Sequence, residues 1–352
     1  MRSPVQIAVV GSGVGSQHIE GFQAIPDLFK VELLCDIDGQ RAAAVAEKYR
    51  IPQTTNSFAE VCERADIDVI DICTPPNLHL EQITRALNSG KHVICEKPLV
   101  GSLAAADAVS ALAECTNHQV MPIFQKRFGH GLQKLKFLVD RNLAGEAFVF
   151  NVDVAWWRGP DYYDSSWHGK RASELGGALL NLAIHAADMV LYILGPVKSV
   201  FGRVATRVNP VEVEDCVAMS VEMADGSLGT LSVTVGSRVQ ISRHRFTFRH
   251  VTAESNAEPY TNSREPWIFS YDAEGDGRRI AGALEHFEPL PEGYAGQFYR
   301  FYRALEKGTE LPVTLADARA SLELVAATYY ASETNAPVSL PIAQGHPKYE
   351  TL

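Results

Sequence analysis

The sequence has no Cys-x-x-Cys pair, and its six cysteines (Cys35, Cys62, Cys73, Cys95, Cys115, Cys216) are scattered, several inside apolar strand-like runs. That spacing excludes a zinc-ribbon or disulfide framework, and no metal site is expected. It points to reduced core thiols in a cytoplasmic protein. A basic excess is missing too, since 32 Lys and Arg stand against 42 Asp and Glu, for a formal charge of −10. Neither nucleic acid nor an anionic membrane is then the expected partner. No apolar run is expected to cross a bilayer, because each meets a charge or a breaker before the roughly 18 residues a span needs. The opening MRSPVQIAVVG has no charged head, apolar middle and small-residue cleavage site, so secretion is not expected. Repeats and low-complexity linkers are also lacking. The chain does have 352 residues, 46% of them hydrophobic. That is enough for two domains of roughly 150 residues, each with its own core.

The first third alternates short apolar strands with helical stretches. Gln6–Gly11, Val31–Asp36, Asp68–Thr74, His92–Glu96 and Val120–Gln125 read as strands. The helical patterns RAAAVAEKYR, HLEQITRALNSG and SLAAADAVSALAEC fall between them. This rhythm predicts βαβ units and a parallel sheet. After Arg127 the rhythm changes. One helical stretch, GLQKLKFLVDRN, leads into the alternating runs AFVFNVDVAWW, VKSVFGRVATRV, DCVAMSVEM, SLGTLSVTV and RHRFTFRHV. Strands without intervening helices predict an antiparallel sheet, with a hairpin turn at Asp225-Gly226. Two helical patterns, YAGQFYRFYRALEKG and LADARASLELVAATYYASE, close the chain. The division falls near residue 125, giving a nucleotide-binding domain over 1–125 and a second α/β domain over 126–352.

Three segments carry chemistry. Gly11-Ser12-Gly13-Val14-Gly15-Ser16 sits between a strand and a helix, where glycines let a pyrophosphate approach the backbone and the helix N-terminus. A strict G-x-G-x-x-G puts its third glycine at 16; here it comes one place early. Asp36 closes the next strand, where a carboxylate accepts hydrogen bonds from ribose hydroxyls and repels a 2′-phosphate, favouring NAD over NADP. It can equally cap the following helix. The second segment, Cys95-Glu96-Lys97-Pro98, follows a strand at the carboxyl edge of the sheet, where ligands bind in open parallel folds. A solvated Glu-Lys turn is the alternative. The third runs from Glu174 to Gly195, an apolar helix opened by Gly176-Gly177. On it Asn181, His185 and Asp188 fall within a stripe of about 60°. Buried polar groups need partners, so the stripe either bonds to backbone or lines a site. Histidine suits general acid–base work near neutral pH.

Together these segments resemble the Gfo/Idh/MocA family of NAD(P)-dependent oxidoreductases. The matching motifs are the glycine turn, CTPPNLH at 73–79, EKP at 96–98, QKRF at 125–128 and GGALLNLAIHAAD at 176–188. The resemblance covers the whole chain. It implies a Rossmann domain followed by a domain on a large, open, mostly antiparallel sheet that makes homodimer or homotetramer contacts. The final helix is expected to pack back on the Rossmann domain. It implies that Lys97 contacts substrate and cofactor, and that His185 is the catalytic base. Asn181 stands where inositol dehydrogenases carry Asp, and an amide takes no proton. Thr74, Pro75, Asn77 and His79 match the loop beside the nicotinamide ribose, and Gly11, Gly13, Val14, Gly15, Asp36 and Glu96 complete the cofactor set.

The implied reaction is hydride transfer between a hydroxyl-bearing carbon of a sugar, sugar acid or cyclitol and NAD. Substrate contacts are expected from Lys97, Asn181, His185, Arg127 and Trp167. Trp156, Trp157, Arg158, Tyr162, Tyr163 and His168 are further candidates or half-buried core. The basic run Arg238, Arg243, His244, Arg245, Arg249 and His250 fits an anionic substrate, a neighbouring subunit or a solvated sheet edge. Two other activities occur on this fold: NAD-dependent glycoside hydrolysis through transient oxidation, and non-catalytic nucleotide sensing.

Overall fold

The structure, a computed structural model, describes residues 4–164 and 167–352. It divides into two compact units, Met1–Gln125 with Pro291–Arg319, and Lys126–Leu290 with Ala320–Leu352.

The first unit is built on a six-stranded parallel sheet in the order β3-β2-β1-β4-β5-β6. Its strands are β1 (Val5–Val10), β2 (Phe29–Cys35), β3 (Gln53–Thr55), β4 (Val69–Ile72), β5 (His92–Cys95) and β6 (Val120–Pro122). The order reverses beside β1, which places β1 and β4 at the centre and their carboxyl ends at the switch point. β1 and β4 are buried along nearly their whole length, as strands with helices on both faces must be. The edge strand β3 carries no apolar run, and the sequence pattern does not reveal it. The helices between strands are α1 (Gly15–Gln23), α2 (Gly39–Tyr49), α3 (Phe58–Glu63), α4 (His79–Asn88) and α5 (Leu103–Thr116). Asp38, Ser57 and Ser102 cap α2, α3 and α5 through their side-chain oxygens, the standard means of satisfying orphan N–H groups.

Each strand stops one or more residues before its sequence-predicted end. Gly11, Asp36, Thr74 and Glu96 therefore lie just past the carboxyl ends of β1, β2, β4 and β5. This is the edge at which open parallel sheets bind ligands.

The second unit contains α6 (His130–Asp140) and an eight-stranded sheet. The strands are β7 (Ala147–Trp157), β8 (Val197–Ala205), β9 (Cys216–Met223), β10 (Leu228–Thr234), β11 (Gly236–Phe248), β12 (Thr252–Glu254), β13 (Ile268–Ser270) and β14 (Val338–Ser339). Their order is β13-β12-β11-β7-β10-β9-β8-β14, antiparallel except for the parallel pair β7–β10. The hairpin at Asp225-Gly226 is present, with Gly226 at φ +89°. Side chains alternate along the central strands. In β9, Val217, Met219, Val221 and Met223 are buried, while Ala218 and Ser220 are exposed. The buried face is covered by helices between β7 and β8 and by the chain's last helix. The other face stays open.

Between β7 and β8 lie α7 (Pro160–Tyr163), α8 (Arg171–Glu174), a π-helical turn over Leu179–Ala183, and α9 (Ile184–Leu194). By length and composition Arg171–Leu194 is long and apolar enough to cross a membrane, but 78% of its most apolar window is buried inside the fold. Its apolarity is accounted for by packing on the sheet.

The remaining helices are α10 (Asp276–Glu285), α11 (Gly293–Lys307) and α12 (Leu315–Thr334). Of the residues after 125, Pro291–Arg319 belongs to the first unit, so the helix that packs back is α11 rather than the final one. α11 packs on α1. Phe298 stacks on Phe22 at 4.0 Å, and a Cβ at Gly21 would meet Tyr294 at 2.8 Å. The Gln297 amide accepts from Phe124 N and donates to Pro122 O, fastening α11 to the end of β6.

Candidate active site

In the first unit the glycine turn forms a cradle. Gly11 has φ +98°, and a Cβ there would lie 2.5 Å from Cys73 O. Only glycine fits that backbone and that approach of β1 to β4. Around Gly13 there is open space, with nothing within 4 Å of a built Cβ. Gly15 lies where a Cβ would be 2.9 Å from Val9, so the early third glycine performs the close helix–strand packing of the usual third position. No side chain caps α1 at Val14. Its first N–H groups and the positive end of its dipole are thereby left to an anionic ligand.

Asp36 is buried and densely bonded. Its Oδ2 accepts from Ser12 N and Oγ, its Oδ1 from Asp38 N, and Arg41 Nη2 reaches both oxygens at 2.8 and 2.9 Å. Burial pushes this carboxyl up, but the bonds from Arg41, Ser12 and Asp38 outweigh it and hold the pKa at about 2. The expected alternative, capping of α2, falls to Asp38 instead.

The CTPPNLH and EKP segments meet at the same edge. Thr74 Oγ1 donates to Gln82. Pro75 is half-buried and Asn77 exposed, just before α4. His79 is fully buried, its ring nitrogens 2.9 Å from Pro98 O and 2.8 Å from Thr74 O. It ties the two loops together, and burial lowers its pKa against the pull of those carbonyls. Lys97 is half-buried, and its backbone N–H donates to Glu96 Oε2.

Behind Glu96 lies a network that the sequence reading missed. His18, on α1 and fully buried, has Nδ1 3.0 and 2.9 Å from the two Asp71 oxygens and Nε2 3.1 Å from Glu96 Oε1. Tyr294 of α11 donates to the same Glu96 oxygen. Burial lowers the His18 pKa, but the Asp71 carboxylate beside it more than compensates and raises it well above its ordinary value of 6.5. His18 is thus an imidazolium between two carboxylates. Its ring lies with Asp71 and Cys73 atoms within 4.8 Å of one another, but burial pushes the Cys73 thiol to about 12, so it stays protonated. The one sequence signal was Asp71, a carboxylate inside an otherwise apolar strand.

The second unit holds Asn181, His185 and Asp188 on one buried stretch, 9%, 7% and 1% exposed. The sequence reading assumed one regular helix. The stretch instead passes through the π-helical turn at Leu179–Ala183, which re-aims the residues after it; such turns are frequent at functional sites. Its start is held by Glu214, whose carboxylate accepts from Gly177 N, Leu179 N and the Tyr329 hydroxyl. Burial raises the Glu214 pKa against those bonds. A Cβ at Gly177 would lie 1.9 Å from Glu214 O. The double glycine is therefore required for this clamp. Asn181 donates its side-chain amide to Glu174 O and Gly176 O.

Asp188 takes a different role. Its oxygens accept from Arg127 Nε and Nη2 at 2.8 and 2.5 Å, in a pair only 1–3% exposed. The structure thus gives Arg127, expected at the substrate, a buried partner across 61 residues of sequence. Trp167 packs against His168, ring centroids 3.8 Å apart. The basic run is dispersed. His244 is buried against Ala186 O and Asn262, whereas Arg243 pairs with Glu254 and Arg249 with Glu146.

Two family models cover most of the chain: "Oxidoreductase family, NAD-binding Rossmann fold" matches residues 5–124, and "GFO/IDH/MocA C-terminal domain" matches 132–252. The chain belongs to the GFO/IDH/MocA family. Among its curated relatives, the myo-inositol 2-dehydrogenase of Thermotoga maritima is 25% identical over 91% of this chain and 94% of its own. The D-glucoside 3-dehydrogenase of Escherichia coli is 25% identical over 96% of this chain and 98% of its own. The crystal structure of the WlbA dehydrogenase from Chromobacterium violaceum, in complex with NADH and UDP-GlcNAcA, superposes with a TM-score of 0.85 at 25% identity, covering 97% of this chain and 98% of that one. This GFO/IDH/MocA protein is an NAD-binding oxidoreductase. The open Gly13 turn, the uncapped α1 and Asp36 at the end of β2 fit the pyrophosphate and adenosine ribose of a dinucleotide.

Proposed function

We propose that the protein oxidises a ring or chain hydroxyl of a sugar, sugar acid or cyclitol, or reduces the corresponding ketone, with NAD(H). The observation that carries the reading is the pairing, in one chain, of an open dinucleotide turn with a buried histidine on a helix clamped at its start by Glu214. A buried histidine on an anchored backbone suits proton transfer to and from a bound hydroxyl.

In this reading His185 takes the hydroxyl proton during oxidation and returns it in the reverse direction. Lys97 stabilises the developing alkoxide with its ammonium charge. Asn181 takes no proton. Its amide nitrogen is held by two backbone carbonyls, which fixes its oxygen for hydrogen bonding to substrate or to His185. Bound nicotinamide supplies the hydride acceptor. Asp36, ionised throughout the physiological range, favours NAD over NADP. The curated relatives named as sugar and inositol dehydrogenases support the substrate class.

The test is a panel of sugars, sugar acids and cyclitols scored for NADH formation at 340 nm. Oxidation of at least one class is expected. Release of free sugar from a glycoside without net NADH would instead identify redox-assisted hydrolysis.

We also propose that the open face of the eight-stranded sheet pairs with a second copy of the chain. Val149, Phe201 and Leu228 are 42%, 37% and 55% exposed there. With Ser220 and Thr230 they line a shallow hollow of about 430 Å³. An exposed sheet face carrying apolar side chains of this kind is the sort that oligomers cover.

A further inference from the structure

Arg158 is the first residue past β7, and its backbone is pinned on both sides. Its N–H donates to Val235 O, and its carbonyl accepts from Asn209 Nδ2. Its guanidinium lies among aromatic rings, 4.9 Å from the centroid of Trp156, 5.0 Å from Tyr162 and 6.0 Å from Tyr260. Nη1 donates to Trp157 O and Nη2 to the Tyr260 hydroxyl. Nε is buried with no hydrogen-bond partner.

Among the described residues no carboxylate pairs with Arg158, in contrast to Arg127, whose charge is answered by Asp188. A guanidinium has five N–H donors. Two are used by the bonds above, a third meets the Tyr162 hydroxyl, and Nε–H is buried, so one N–H is left for an outside acceptor. A second cation is close by: Lys126 Nζ lies 5.4 Å from the Trp156 ring. A guanidinium held by ring faces, with no carboxylate partner among the described residues, is set up to meet an outside oxyanion with a charge-assisted hydrogen bond.

The surroundings specify what carries that anion. Tyr162 stacks on His168 with centroids 4.1 Å apart, and Trp167 follows at 3.8 Å. Such flat faces accept the C–H surface of a sugar ring. The elements bearing these side chains are bonded to the helix that carries Asn181 and His185. Gly169 N donates to Glu174 Oε2, and Glu174 O accepts from Asn181. Trp156 Nε1 donates to Ser242 Oγ, and His244 on the same strand lies 3.2 Å from Ala186 O, next to His185.

We propose that Arg158, in its aromatic nest, is a carboxylate subsite flanking His185, and that the preferred ligand is an acidic sugar rather than a neutral one. This rests on the redox reading above for the ligand being a sugar. The test measures binding by thermal shift, in the presence of NAD, for the matched pairs D-glucuronate and D-glucose, and D-galacturonate and D-galactose. The wild type is expected to bind at least one uronate tenfold or more tighter than its neutral partner. Arg158→Gln is expected to abolish that preference, leaving neutral-sugar and NADH binding unchanged, and Arg158→Lys to restore part of it. Equal binding within both pairs by the wild type overturns the proposal. So does a parallel loss for acid and neutral sugars in R158Q, and, should that variant fail to fold, an undiminished uronate preference in R158K. Arg158-dependent uronate binding without NADH formation from any sugar would refute the redox reading alone. NADH formation from neutral sugars without uronate preference would refute the subsite alone.

Discussion

Asp36 already receives as many hydrogen bonds as a carboxylate's roughly four lone-pair directions accommodate. Ser12 contributes two, Asp38 one, and Arg41 Nη2 reaches both oxygens. Ribose hydroxyls therefore have to displace a donor, and Arg41, 54% exposed, is the one that can swing away. Asp36→Ser should free that guanidinium for a 2′-phosphate and shift the ratio of NADH to NADPH affinity towards NADPH by roughly tenfold or more. Titration of both cofactors against both proteins reads this directly, and an unchanged ratio would remove Asp36 from cofactor choice. With its pKa depressed to about 2 from 3.8, Asp36 contributes fully above pH 4 and loses its contribution only as the pH falls through about 2. The glycine turn after β1 and the place of Asp36 past β2 were legible in the sequence because they depend on near neighbours. Arg127 was not. Its proximity to a family motif suggested substrate, whereas its partner Asp188 lies 61 residues away.

At the scale of elements, the His18 network joins α1, β4, the segment after β5, and α11. Removing one member of a buried ionic cluster leaves the others uncompensated, at a cost of about 3–5 kcal/mol. His18→Gln should therefore lower the melting temperature measurably. The His18 pKa is raised from its ordinary value of 6.5, so its contribution is complete below pH 6.5 and declines as the pH climbs through the higher folded-state value. The difference in melting temperature between wild type and variant should be largest near pH 6 and shrink in alkaline buffer. A difference that grows with pH would contradict the imidazolium assignment. The network was hidden in the sequence because its histidine and carboxylates are 53 and 78 residues apart. Equally hidden was the π-helical turn before His185, since hydrophobic periodicity located the helix but carried no sign of its wider turn. Which C-terminal helix returns to the first unit, α11 rather than the final one, was also open, because an amphipathic pattern states that a helix packs, not on which sheet.

Across the whole molecule, the strand pattern alone located one parallel and one mostly antiparallel sheet. The boundary after Gln125 was visible as a change of rhythm; that a C-terminal helix returns to the first unit came only with the resemblance, and the bounds Pro291–Arg319 were not marked in the sequence. The open sheet face is the feature that predicts assembly. A charge at one of its exposed apolar residues, Leu228→Glu, should convert the wild-type oligomer to a smaller species in light scattering after size exclusion, with melting temperature nearly unchanged. A wild-type monomer would refute the pairing.

The central claim is that His185 moves the substrate proton. Its most direct test compares turnover and NADH affinity of the wild type and His185→Ala on the best substrate of the panel. The account predicts a fall in kcat of roughly 10²–10⁴-fold with NADH affinity unchanged. A variant that turns over at the wild-type rate would contradict it.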